Sequence, residues 1–274
     1  MTIDRITIFC FAASYTLALC LELLQLLRPR AFQRLLCSIC GIAGLLAHTL
    51  FLLVQHPALV SRQGSLLFLA WILAVFYLYG SIHYRRSAWG AFVLPVVLGL
   101  TILAHAFDQP SSSSADSQSI FALHGEGFWR MLHVILFVLA SVGVCIAFIA
   151  SLMYLVQARR LRSKAIPGQG LRLFSLERLE AMNRRAINAA FPLLSAGLLI
   201  GIALMLEDRD RLEGWTDPRI LSTLVLWLVF AVMLYLRYGV HLHGRRVALL
   251  TIVAFALLLL TLVTQHSLTP GGRP

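Results

Sequence analysis

An all-α fold, a polytopic membrane helix bundle with about eight transmembrane helices, is predicted by three observations. Of the 274 residues, 59% are hydrophobic and only 13% are Asp, Glu, Lys or Arg, against roughly 25% charged in an average soluble domain. The mean hydropathy is +0.82. Long apolar segments recur along the chain, each close to the ~20 residues a helix needs to cross the hydrocarbon core. Together they exclude a disordered chain, a disulfide-stapled mini-domain and an ordinary cytosolic enzyme. The connections leave no room for an independent soluble domain, so residues 1–274 read as a single integral membrane domain.

The first segment, Thr7–Leu27, exceeds the ~7–15-residue core of a signal peptide. The basic cluster Arg28, Arg30 and Arg34 follows it rather than precedes it. It therefore reads as a transmembrane helix, not as a cleavable leader. The second, Leu35–Val54, carries Cys37 and Cys40 as a CxxC. No second CxxC completes a metal site, and packing of small residues is the favoured reading over redox chemistry. Leu66–Tyr84 and Ala88–Phe107 are the third and fourth segments. The stretch Asp108–Trp129, with Ser111–Ser114 and Asp116, reads as a flexible connection.

Met131–Gln157 is the fifth segment. After it, Ala158–Ala186 begins as a basic loop with a Pro167-Gly168 turn. Its second part, Leu171–Ala186, sets Leu173, Leu176, Leu179 and Met182 at three-residue steps beside Arg178, Arg184 and Arg185. That pattern predicts an amphipathic helix lying in the membrane interface, or an elbow before the next span. The remaining segments are Ile187–Leu206, Ile220–Tyr238 and Val247–Gln265.

The formal net charge is +11. On a soluble chain that balance would suggest nucleic acid, but here the positions matter more than the sum. The odd-numbered connections hold Arg28, Arg30 and Arg34, then Arg85 and Arg86. Next come Arg159, Arg160, Arg162, Lys164, Arg172, Arg178, Arg184 and Arg185, and finally Arg237, Arg245 and Arg246. The connection after the sixth segment is acidic, with Glu207, Asp208, Asp210, Glu213 and Asp217. Basic residues gather on the cytoplasmic side, so the odd connections are expected in the cytoplasm and both termini outside it. Ala158–Ala186 is then a cytoplasmic basic loop plus an interfacial helix. The expected partner is the lipid bilayer, and no nucleic acid.

Nine histidines are many for so apolar a chain. His48, His56, His105, His124, His133 and His266 fall at the outer level of this topology, and His83, His241 and His243 at the inner. His48 and His133 lie at similar depth in the outer third of the membrane, where ionisable residues mark function. Two neutral imidazoles on facing helices can ligate a haem iron from opposite faces. Alternatively, each hydrogen-bonds a neighbouring carbonyl or hydroxyl. His105 is a third candidate or an interface residue. Glu22, near the inner end of the first segment, suggests a proton or ion path, or a pairing with Arg34 or Arg85. No hydrolytic triad, Gly-rich phosphate loop or HExxH is visible, so no enzyme signature is read.

Four segments, in order, carry a family resemblance. They are Gly44-Leu-Leu-Ala-His48; His124 followed by Met131-Leu-His133; Ser175-Leu-Glu-Arg-Leu-Glu180; and Gly244-Arg-Arg-Val-Ala248. The chain resembles the cytochrome c assembly protein family of CcsA and HemX type, most closely its YpjD inner-membrane branch. The resemblance implies a multi-pass protein of the bacterial inner (plasma) membrane that binds or handles haem in c-type cytochrome biogenesis. Its partners would be other cytochrome c maturation or haem-pathway proteins. The resemblance places His48 and His133 as ligands of haem iron, with Trp215 and Asp217 as further cofactor-binding residues. The family's Trp-rich segment is reduced here to Gly214-Trp215-Thr216-Asp217-Pro218-Arg219, which fits an accessory role of HemX-like or YpjD-like kind. Two alternatives stay open: a regulatory or assembly scaffold without bound haem, acting through the basic loop, and a small transporter using Glu22 and the histidines.

Overall fold

The computed structural model describes residues 8–27, 31–57, 59, 61–84, 88–106, 126–163, 173–207, 218–240 and 244–264. Among them are eight helices and no strand. They are α1 (Ile8–Leu27), α2 (Ala31–Gln55), α3 (Arg62–His83), α4 (Gly90–Ala106), α5 (Glu126–Arg162), α6 (Leu176–Glu207), α7 (Pro218–Tyr238) and α8 (Arg245–Thr264). Each expected segment thus has its helix. Seven helices are long and apolar enough to cross a membrane, and α4, with 17 residues, is a shorter apolar helix. The chain is a multi-pass membrane protein.

Two helices outrun the hydropathy pattern. At 1.5 Å per residue, α5 with its 37 residues is about 55 Å long, against a hydrocarbon core of about 30 Å. Of the amphipathic stretch expected over Leu171–Ala186, Leu171 and Arg172 lie outside the described residues, and the part from Leu176 onward forms the first turns of α6 and continues without a break into the sixth span, 32 residues in all. Its start has a local cause. The Arg178 backbone N–H donates to Ser175 Oγ at 3.3 Å, which caps orphan donors of the first turn, and Glu177 lies there too, favourably placed near the positive end of the helix dipole. At α3, Ser61 plays the same capping part, accepting from the Gly64 N–H at 3.0 Å.

The chain divides into two compact units. The first comprises Met1–Asp108 and Leu155–Leu179, the second Gln109–Tyr154 and Glu180–Pro274. In the first unit α1 packs on α2, α2 on α3, α3 on α4 and α4 back on α1, closing a ring of four. Tyr15, Tyr77, Phe11 and a row of leucines from α3 are fully buried in it. Aromatic rings from α3 and the segment before α6 gather at one end: Tyr84 meets Phe174 edge-on at 5.0 Å, and Trp89 meets Phe76 likewise at 5.0 Å. The Arg178 guanidinium lies 4.7 Å over both Tyr84 and Phe174, a cation–π clamp that ties the start of α6 to the end of α3.

The second unit is held by a buried polar network. Asn183 of α6 donates to the Ala147 carbonyl at 3.1 Å, to Ser151 Oγ at 2.8 Å and to Thr251 Oγ1 at 3.2 Å, joining α5, α6 and α8. Its Oδ1 accepts from the Arg237 guanidinium of α7 at 2.9 Å. Arg237 also donates to the Glu180 carbonyl at 3.2 Å and is only 4% exposed. Glu180 Oε1 accepts from the Gly244 N–H at 3.4 Å, just before α8. Gly244 has φ +73°, and the Tyr154 hydroxyl lies 2.7 Å from where a side chain would begin, so both conformation and space demand glycine there.

A neutral interhelical hydrogen bond in a membrane protein is worth about 0.6 kcal/mol, whereas one to a charged group is worth about 1.5–3 kcal/mol. Asn183→Leu, which leaves the Arg237 guanidinium short of an acceptor, is therefore expected to cost about 2–3 kcal/mol in a denaturant titration in mixed micelles. Thr251→Val is expected to cost less than about 1 kcal/mol. Equal losses would contradict the role given to Arg237.

Candidate functional site

The sequence points first to His48, and the structure buries it completely, at 0% exposure. It projects from α2 toward α1. The Phe11 ring stacks flat on its imidazole, with centroids 4.1 Å apart and planes within 3°. The Tyr15 hydroxyl lies 3.5 Å from Nδ1. Nε2 is sealed from solvent and has no hydrogen-bond partner among the described residues. The Gly44-to-His48 segment has a steric logic that sequence alone does not show. Residues four apart share a helix face, and here both meet Tyr15. A Cβ at Gly44 would stand 2.8 Å from the Tyr15 ring, so the missing side chain lets α1 approach closely enough for Tyr15 to reach His48.

His133 belongs to the second unit and is half-buried. Its Nδ1 lies 2.7 Å from the Gly197 carbonyl of α6. A carbonyl only accepts, so Nδ1 carries the proton, and in the neutral ring Nε2 keeps its lone pair. This is the tautomer that metal-bound histidines adopt when their second nitrogen is hydrogen-bonded to the protein. Trp215, Asp217, His124, His241, His243 and His266 lie outside the described residues. His105 is exposed at the end of α4, its ring 4.9 Å from Phe9. His56 is exposed where α2 ends, with φ 41°. His83 stacks on Tyr79 at 4.2 Å and lies 3.2 Å from the Tyr79 carbonyl, as an interfacial anchor does.

Glu22 has a setting the sequence did not indicate. Its Oε1 accepts from the Cys37 thiol at 3.5 Å. Cys37 also contacts the Tyr77 hydroxyl at 3.3 Å and the Ala18 carbonyl at 3.4 Å. Gly90 makes room for the carboxyl: a Cβ there would lie 2.6 Å from Glu22 Oε1. Cys37 is buried at 2% exposure, and no disulfide joins the five cysteines. The first half of the CxxC thus serves packing and hydrogen bonding between α1, α2 and α3. Among the described residues, no group of three or more His, Cys, Asp or Glu is placed to hold a metal ion.

The fold and these side chains define a class: a polytopic helical membrane protein that keeps imidazoles on apolar helices, His48 in the first unit and His133 in the second, each with Nδ1 facing a protein oxygen. The family model described as Cytochrome C assembly protein matches residues 59–271. The chain is similar to the cytochrome c biogenesis protein CcsA of Chlamydomonas reinhardtii, 27% identical over 223 residues, covering 78% of this chain and 61% of that protein. It is also similar to CcsA of Gloeobacter violaceus, 23% identical over 308 aligned positions, covering 94% of this chain and 90% of the relative. CcsA of Synechococcus sp. strain JA-2-3B'a(2-13) is 26% identical over 282 positions, covering 78% and 79%. No solved structure matches the chain. The chain belongs to the cytochrome c assembly protein family, and it spans about three fifths of the length of the Chlamydomonas relative.

The glycines offer a clean steric test. Helical Gly→Ala gains about 0.5–1 kcal/mol where space allows, and overpacking costs about 1–3 kcal/mol. A methyl group added at Gly99 would have nothing within 4 Å, while one at Gly44 would meet Tyr15 at 2.8 Å. Gly99→Ala is therefore expected to hold or raise the thermal midpoint in detergent, and Gly44→Ala to lower it. A Gly44→Ala protein as stable as Gly99→Ala would refute the close approach of α1.

Proposed function

We propose that this chain handles haem in c-type cytochrome biogenesis at the bacterial inner membrane, with His48 and His133 as ligands of haem iron. The observation that carries the reading is the state of the two imidazoles. An unpaired buried polar atom costs about 1–3 kcal/mol, and His48 Nε2 is such an atom. At His133, the bond to Gly197 leaves Nε2 as the basic nitrogen. Neutral nitrogen donors of this kind suit haem iron. Membership of the cytochrome c assembly family and similarity to proteins named for cytochrome c biogenesis support the same direction.

When bound, haem would supply an iron centre for transfer to a maturing cytochrome. The chain's own residues would do the rest. His48 and His133 would offer nitrogen, Phe11 and Tyr15 would fix the His48 ring, and Gly197 would fix the His133 ring. Trp215 and Asp217, immediately before α7, would add an aromatic and an acidic group. The role is that of a carrier or accessory of HemX-like or YpjD-like kind rather than of an enzyme. Other cytochrome c maturation or haem-pathway proteins would be its partners.

Full-length protein purified in detergent from haem-replete cells is expected to show a Soret band. His48→Ala and His133→Ala are each expected to lower retained haem by about tenfold or more. If both variants keep the wild-type occupancy, the ligand assignment fails. A wild-type protein without a Soret band would favour the scaffold reading instead.

A further inference from the structure

His133 is seated on α6 by an unusual feature of that helix. Gly197 and Gly201 lie four residues apart, and so on one face. That face meets α5 at the histidine. The two glycines are not equivalent. A Cβ on Gly197 would find ordinary contacts only: Leu136 Cβ at 3.5 Å and the His133 carbonyl at 3.8 Å. A Cβ on Gly201 would strike the imidazole itself, 2.8 Å from Cε1, 3.1 Å from Nδ1 and 3.7 Å from Nε2. The ring edge between the two nitrogens therefore points at Gly201.

This arrangement puts Nδ1 within 2.7 Å of the Gly197 carbonyl. In a regular helix that oxygen also accepts from the N–H of residue 201, and its two lone pairs serve both donors. Any side chain at position 201 would push the ring off this acceptor. The free ring would then choose its tautomer by other contacts, and the lone pair would no longer be assigned to Nε2.

We propose that Gly201 is a positioning residue for His133: its bare face seats the ring against the Gly197 carbonyl, which fixes the proton on Nδ1 and presents Nε2 as the donor atom. The inference rests on the reading of His133 as a haem ligand, and it adds how the ligand is made ready. Second-sphere partners of this kind usually change metal affinity or activity by about 10–100-fold when removed.

The test uses the full-length chain, labelled with 15N-histidine and reconstituted in detergent micelles. The His133 resonances are assigned by their loss in His133→Gln. The wild-type ring is expected to show a proton on Nδ1 and a bare Nε2. Gly99→Ala, at a helical glycine whose added methyl meets nothing within 4 Å, is expected to leave that signature unchanged. Gly201→Ala is expected to lose the single tautomer and to weaken haem affinity by about 10–100-fold, read by haem titration.

A wild-type proton on Nε2, or an unaltered tautomer in Gly201→Ala, overturns the proposal. Should Gly201→Ala fail to fold, the wild-type tautomer remains the test: a proton on Nδ1 supports the proposal and one on Nε2 overturns it. If the proton sits on Nδ1 as expected but the Nε2 resonance does not respond to added haem, the seat holds and the haem reading of His133 fails.

Discussion

Hydrocarbon offers no water to satisfy a polar group, and that constraint organises this molecule. The helices satisfy their own backbones. What remains are the side chains that an apolar sequence retains in spite of their cost. Arg237 is the most demanding of them. Its buried guanidinium is met by Asn183 Oδ1 and the Glu180 carbonyl. Asn183 in turn directs its amide to α5 and α8. One cation thus fixes the register of four helices in the second unit. In the first unit the same constraint gathers Glu22, Cys37 and Tyr77. Among the described residues, His48 Nε2 is one of four buried side-chain polar atoms left without a partner, with Gln25 Nε2, Gln33 Oε1 and Trp89 Nε1.

Close approach is the other half of the construction. Association of helices in lipid cannot draw on the hydrophobic effect between them, so it relies on packing and on small residues at the contact. Gly143 lets α5 lie against Ala190 of α6, where a Cβ would be 2.8 Å from the alanine methyl. Gly80 receives the Trp89 indole. Gly44 and Gly201 use the same device for a different end, since the group each admits is an aromatic or imidazole ring that bears on a histidine. Packing and site therefore cannot be separated at these positions. The ring orientation is a by-product of how near the helices come.

Much of the architecture was legible in the sequence, because span length and hydropathy are local properties. All eight helices occur where the apolar segments predict them. The exceptions have physical reasons. The continuation of α5 ends on Arg159, Arg160 and Arg162 and that of α6 is amphipathic, so hydropathy ends before the helix does. Arg237 counts among the loop cations in the charge pattern, yet it is buried and hydrogen-bonded in the second unit. Charge reports sidedness but not which way a side chain points. The histidines were legible as types at suggestive depths. Tyr15, Phe11, Gly197 and Gly201 were not, since each matters only through a histidine on another helix. Tyr15 is 33 positions from His48, and Gly197 is 64 from His133. The spacing Gly44-to-His48 is the one local signal that pointed to a shared face. The segments Ser175–Glu180 and Gly244–Ala248 were likewise legible only as strings; the Glu180 bond to Gly244 explains why they belong together.

The partners of the two histidines also bear on what kind of ligand each can be. A carboxylate on Nδ1 makes an imidazole more basic and its metal bond firmer, as in many zinc sites. Among the described residues neither histidine has one. His133 has a neutral carbonyl and His48 a neutral hydroxyl. Neutral partners fix orientation while adding little negative character, and they introduce no further charge into an apolar medium where an unpaired ion is costly. If the histidines ligate haem as proposed, orientation without strong electronic reinforcement would lower the entropy cost of binding and leave the bond reversible. A permanent haem enzyme would gain from a firmer grip. On the proposed function, a protein that receives a cofactor and gives it up again would be served by ligands that are preorganised but neutral, and these two side chains would act in that way.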